Sequence, residues 1–111
     1  MNRPLSCLED IADSMRFIRK FIGGMGQKEF LEDDKTQAAV VRHIEIIGEA
    51  AKQVPGEFRK KHPEIEWKMM AGMRDKLIHG YAGVDYYLVW GTASETIPKT
   101  LPSIEKLIGK E

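Results

Sequence analysis

Four stretches of this 111-residue chain repeat their apolar residues at three- and four-residue steps, and no stretch reads as a strand. The first stripe is Leu8, Ile11, Ala12, Met15, Ile18 and Ile22. The second is Val40, Ile44, Ile47, Ala51 and Val54. A third helix is expected over Trp67 to His79. The last stripe is Tyr86, Trp90, Ala93, Ile97, Leu101, Ile104 and Ile108. Four principal helices with short connections predict an all-α fold, an antiparallel bundle of four to five helices. Strand-borne nucleotide folds are excluded, because there is neither a glycine-rich phosphate loop nor a strand to carry one.

Local punctuation sets the expected boundaries. Ser6-Cys7-Leu8-Glu9 has the spacing of a capping box ahead of the first stripe, and Gly23-Gly24 stops it. Gln27 to Glu32 holds one further turn, with Phe30 and Leu31 facing inward. Asp33 or Asp34 caps the second long helix, and Pro55-Gly56 ends it. Gly48 lies mid-helix, where it costs about 1 kcal/mol relative to alanine, so another helix is expected to approach closely there. Residues 55–66 read as a loop with room for a turn of helix. Gly80 is placed for a left-handed C-terminal cap, and Asp85 for the cap of the last helix. Pro98 and Pro102 should break that helix, yet its stripe keeps phase through both. One kinked helix, or two pieces nearly in line, is expected.

Composition narrows the class. Lys+Arg and Asp+Glu are 17 each, so the chain cannot grip nucleic acid by bulk charge, and any such contact must be local. Cys7 is the sole cysteine, which leaves no disulfide framework and no thiolate cluster. The N-terminal residues are interrupted by Glu9 and Asp10, unlike a signal peptide, and no run approaches the roughly 20 apolar residues of a membrane span. A single cytoplasmic domain over residues 1–111, with no membrane association, is the expectation. His43, His62 and His79 lack ligand spacing, so no metal site is expected.

The chemistry concentrates in MRDKLIHGY, residues 73–81. Arg74 can hold a phosphate bidentately. His79 is the side-chain type most often used for acid–base catalysis, and at a helix end the dipole would favour its imidazolium. If the helix runs through His79, Asp75 lies four residues before it on the same face and can fix its tautomer. Arg74 and His79, five apart, lie about 140° around an ideal helix and do not share a face. RNA cleavage without metal requires a base for the 2′-hydroxyl, an acid for the leaving 5′-oxygen, and cations for the phosphorane-like charge. A two-fold dimer bringing two copies of the motif together would supply two histidines and two arginines, with Arg74 of one chain working beside His79 of the other. On spacing alone, the same residues are more often solvated groups at a helix end, with Tyr81 a packing aromatic, and spacing by itself does not establish an enzyme.

The wider pattern resembles the HepT-like family of the HEPN superfamily, the toxin halves of HepT–MntA toxin–antitoxin systems. The resemblance covers nearly the whole chain. It rests on the stretch Asp34–Ala51, ending A-V-x-R-x-I-E-I-I-G-E-A-A, and on W-x-x-M-A-G-M-R-D-x-L-I-H-G-Y at Trp67–Tyr81. The pairs Val84-Asp85 and Val89-Trp90 continue it. It implies a HEPN-like bundle that forms a homodimer, with paired R-x4-H motifs making a metal-independent endoribonuclease cleft. Arg74 and His79 are then the catalytic pair, supported by Asp75 where relatives often carry asparagine. It further implies a cognate MntA-like nucleotidyltransferase antitoxin that transfers AMP from ATP onto Tyr81. The chain would need no cofactor of its own, since the ATP serves the partner, and its substrate would be RNA.

Arg42 and Glu49, seven apart on the second long helix, are candidates to line the cleft, with helix packing or a surface role the alternative. Arg59, Lys60, Lys61 and His62 form a basic patch able to guide RNA or simply to be solvated. Trp67, Met69, Met70 and Met73 read as core and dimer contacts rather than a cofactor box. His43 reads as structural or exposed. The rival functional class is a non-catalytic helical binding module, or a nucleotide- or partner-binding subunit of a nucleotidyltransferase. A structural dimer with a decayed site is the third.

Overall fold

Burying one apolar stripe from each of four amphipathic helices requires that they wrap a shared core, and the computed structural model has that arrangement. It describes residues 3–78 and 83–110. Helix α1 spans Arg3–Ile22, α2 Gln27–Leu31, α3 Asp34–Gln53, α4 Gly56–Lys61, α5 Trp67–Ala71 and α6 Met73–Leu77. Helix α7 spans Tyr86–Gly91, a π turn follows over Thr92–Thr96, and α8 runs from Ile97 to Lys110. Among the described residues there is no strand, only one isolated bridge between Ile78 and Val84. The fold is an all-α, HEPN-like bundle. Helix α1 packs along α3 and also against α8, while α3 carries α5 and α6 on another side.

The stripes of α1 and α3 behave as their spacing demands. Leu8, Ile11, Ala12, Met15, Ile18 and Ile22 are buried, as are Val40, Ile44, Ile47, Ala51 and Val54. Gly24 ends the α1 segment in the left-handed region, at φ 80°, where a side chain would be strained. Asp33 caps α3 by accepting from Thr36 N–H at 3.0 Å. That bond first, with a second from the Thr36 hydroxyl, holds the Asp33 carboxyl below the usual carboxylate range. Gln37, one turn into α3, donates from Nε2 to the carbonyls of Phe30 and Leu31, satisfying the C-terminal end of α2. That bond set seats Phe30 fully in the core, against the Trp90 ring.

Several expectations require correction. Helix α1 already includes Arg3, so Ser6 lies inside the helix and no capping box opens it. Pro4, with its φ preset near the helical value, suits that earlier first turn. At Gly48 the carbonyls of Met70 and Ala71 lie 3.6 and 3.5 Å from where a Cβ would stand. Helix α5 does approach there, but at ordinary contact distance, so an alanine fits and proximity alone does not require glycine. The third principal helix does not run unbroken to His79. It bends at Gly72 (φ −94°, ψ 3°) and ends at Leu77, because Ile78 is extended at φ −117°, ψ 120°. The cap expected at Gly80 lies outside the described residues.

The C-terminal helix is continuous through both prolines. Ile97 N–H bonds to the Thr92 carbonyl, an i→i+5 bond that widens the turn just ahead of Pro98. Ser94 and Thr100 turn their hydroxyls onto the carbonyls of Trp90 and Thr96 at 2.7 and 2.8 Å. Beyond the wide turn the stripe is buried at Ile97, Leu101 and Ile104, but Leu107 rather than Ile108 completes it, Ile108 being only partly buried. Before it, Val89 rather than Trp90 is the fully buried position. Asp85 caps α7 by accepting from the N–H groups of Tyr87 and Leu88.

His43 is structural. Its Nδ1 lies 3.0 Å from the buried Ser14 Oγ, and its ring stacks on Phe17 at 5.1 Å, joining α3 to α1. Burial, and secondarily the charge of Arg42, lower its pKa from 6.5. The folded state therefore favours neutral imidazole. This contribution is complete above about pH 6.5 and is lost as pH falls through the depressed folded value. Melting curves at pH 7.5 and 5.5 should show wild type losing more stability on acidification than His43→Asn. Equal losses would remove His43 from the pH response.

Candidate active site

The motif begins on α6, whose one buried face, Met73 and Leu77, leaves Arg74, Asp75 and Lys76 outward. Arg74 Nε donates to Glu45 Oε2 on α3 at 3.1 Å. Arg74 Nη1 lies 3.6 Å from Asp75 Oδ1, an ion pair too long for a good hydrogen bond. The Arg74 side chain is 49% exposed and that of Asp75 70%, so both remain open to a polymeric substrate.

Past Leu77 the chain leaves the helix and turns back. Ile78 and Val84 form an antiparallel bridge, and Asp85 N–H donates to the Leu77 carbonyl at 2.8 Å. These contacts clamp together the two ends of the segment that carries H-G-Y. Gly83, at φ 80°, adopts the left-handed conformation on the return side. His79 and Tyr81 lie outside the described residues. The helical premise for pairing Asp75 with His79 does not hold, because α6 ends at Leu77 and the extended Ile78 interrupts the four-residue repeat. What Asp75 does touch is Arg74.

Arg42 and Glu49 are both exposed on α3. With Glu45 they sit at positions i, i+3 and i+7, within an arc of about 60° on an ideal helix. The face they share is therefore the one that Arg74 reaches through Glu45. Glu45 is the site residue that the motif-centred reading overlooked, although its spacing from Arg42 and Glu49 pointed to it. Arg59 and His62 do not join this corner through any bond among the described residues. The His62 ring packs on Phe58 at 4.5 Å and its carbonyl accepts from Trp67 Nε1 at 2.9 Å. Trp67, Met70 and Met73 are buried in the core, as their apolar character predicts, with Met69 half-buried. Among the described residues no group of three or more His, Cys, Asp or Glu is placed to hold a metal ion. No described helix is long and apolar enough to cross a membrane.

Comparison with known proteins covers the stretch of chain that holds these residues. The family model described as Ribonuclease HepT-like matches residues 11–107. The “Probable ribonuclease HepT” of Thermococcus cleftensis is 51% identical over 100 residues, covering 90% of this chain and 91% of that protein. The “Putative RNase TTE0752” of Caldanaerobacter subterraneus subsp. tengcongensis is 41% identical over 111 residues, covering 100% of this chain and 99% of its own. In Methanocaldococcus jannaschii, the “Putative RNase MJ0127” is 45% identical over 101 residues, 91% of this chain and 84% of that one. No solved structure matches. A helical bundle matched to the family model from residue 11 to residue 107, and 51% and 41% identical to two of its relatives over most of the chain, places the chain in the ribonuclease HepT-like family.

Proposed function

We propose that the chain is an endoribonuclease toxin whose partner silences it by modifying Tyr81. The observation that carries this reading is the closure at Leu77–Asp85 and Ile78–Val84, one helical turn after Arg74. It closes the chain just past the motif arginine, across the stretch of sequence in which the motif's histidine and tyrosine fall.

In this mechanism two copies of the chain pair so that their motifs face one cleft. One His79 takes the proton of an RNA 2′-hydroxyl, and the 2′-oxygen bonds to the adjacent phosphorus. The second His79 gives a proton to the 5′-oxygen as its bond to phosphorus breaks. The products carry a 2′,3′-cyclic phosphate and a 5′-hydroxyl. Arg74 holds the phosphate and stabilises the charge that develops on its oxygens. Asp75 supports the site from beside Arg74, and Arg42 and Glu49 line the approach. Arginine and histidine between them supply charge stabilisation and proton transfer, so the step calls on no metal ion or other cofactor.

The off-switch in the proposal is covalent. A cognate MntA-like nucleotidyltransferase directs the Tyr81 phenol oxygen onto the α-phosphorus of ATP, pyrophosphate leaves, and the phenolic proton is lost. The attached AMP places a bulky anion at the cleft, blocking RNA and repelling its phosphates. Both partners act in the cytoplasm.

Growth inhibition and intact mass test this directly. Wild type expressed alone should arrest growth, and co-expression with the nucleotidyltransferase should add AMP to the chain and relieve the arrest. Tyr81→Phe should remain unmodified and toxic in the presence of the partner. A chain that never inhibits growth, yet binds the partner through Tyr81, would favour the binding-module reading instead.

A further inference from the structure

We infer that Glu45 is a positioning residue for Arg74, fixing the plane of its guanidinium so that the outer nitrogens face the scissile phosphate. The inference rests on the ribonuclease reading above and adds to it a residue outside the R-x4-H motif. A half-exposed arginine on a helix surface would otherwise sample many rotamers. Here Nε donates to Glu45 Oε2 at 3.1 Å, while Asp75 lies 3.6 Å from Nη1 and holds it only as an ion pair. The directional tether is therefore on Nε, from a second helix. Nη2 has no partner among the described residues. A guanidinium tied at Nε retains its two outer nitrogens as a fork for phosphate oxygens. The tether is stiff because α3 is itself buried along α1. A partly exposed pair of this kind contributes little to folding stability, so its main consequence is orientation.

The test compares Glu45→Gln and Glu45→Ala with wild type and His79→Ala on one synthetic RNA. Glu45→Gln retains an oxygen that can accept from Nε, and its kcat should stay within about threefold of wild type. Glu45→Ala should lower kcat roughly tenfold or more with KM within about threefold, since misorientation penalises the transition state rather than binding. Its melting temperature should be nearly unchanged. The Arg74 Nε–H resonance, resolved by NMR in wild type and Glu45→Gln, should move into the exposed arginine envelope in Glu45→Ala. Full activity of Glu45→Ala beside an inactive His79→Ala overturns the inference and leaves the ribonuclease reading standing. Equal loss in the Gln and Ala variants, or an Arg74 Nε–H signal indifferent to Glu45→Ala, overturns it as well. Equal cleavage by wild type and His79→Ala removes the reading and the inference together.

Discussion

His79→Ala is expected to cleave RNA roughly 10²–10⁴-fold more slowly than wild type at neutral pH. That range is what a positioned acid–base group typically contributes, and in a paired site the one substitution removes both the base and the acid. Alanine provides neither a proton acceptor for the 2′-hydroxyl nor a donor for the 5′-oxygen. Arg74 would remain and still bind phosphate, so RNA affinity should change far less than turnover. The flanking clamp uses backbone groups of Leu77, Ile78, Val84 and Asp85, none of which the substitution alters. Single-turnover cleavage of a defined RNA, in buffer containing EDTA, is the measurement. Wild type should produce 2′,3′-cyclic phosphate ends at an unchanged rate in EDTA, and His79→Ala should leave the RNA intact over the same interval. A His79→Ala chain that cuts at the wild-type rate would end the catalytic assignment.

The second large effect is on stability. Ile47→Ala should destabilise the fold by about 2–5 kcal/mol, because it deletes a branched side chain from a fully buried position on α3. Helices α1 and α3 form a long packed pair in the bundle, and the cavity would open inside that core. In a domain of this size such a loss lowers the melting temperature by roughly 10 °C or more. Glu49→Ala, on the exposed face of the same helix, should change stability little. Chemical denaturation of the two variants separates them. A shift at Glu49 as large as at Ile47 would mean that α3 is buried on both faces.

Helix content and core membership were legible because both follow from a repeat of 3.6 residues, which α1 and α3 obey without interruption. Asp85 was legible as a cap, and Asp33 as one of two adjacent candidates, because a carboxylate at a helix start has orphan N–H groups to satisfy. The misread positions share a cause: a local signal was overruled by the neighbouring backbone. Ser6 and Glu9 carry capping-box spacing, but Pro4 suits a helix that begins a turn earlier. The sequence pattern predicts a helix continuing through Ile78, but Val84 offers Ile78 a bridge and Asp85 an N–H to the Leu77 carbonyl, and the helix ends at Leu77. No three-residue pattern encodes such a return contact. Glu45 was hidden for a different reason: its bond to Arg74 joins residues 29 apart, and pairing across helices is set by packing. Pro98 marked a disturbance correctly, while the form it took, a single wide turn, depended on the hydroxyls and carbonyls around it.

The clamp at Leu77 and Asp85 also makes the motif a property of the folded chain rather than of its letters. An excised peptide covering residues 73–86 would contain the motif's own arginine, histidine and tyrosine. It would lack α3 behind the arginine, and it would have to close the loop anew against its own chain entropy at each encounter. Under the proposed off-switch, a modifying enzyme that required the closed ends would act on the folded chain and not on a nascent or unfolded one. The same few backbone contacts that hold the segment's ends together would then also certify that the protein bearing it has folded.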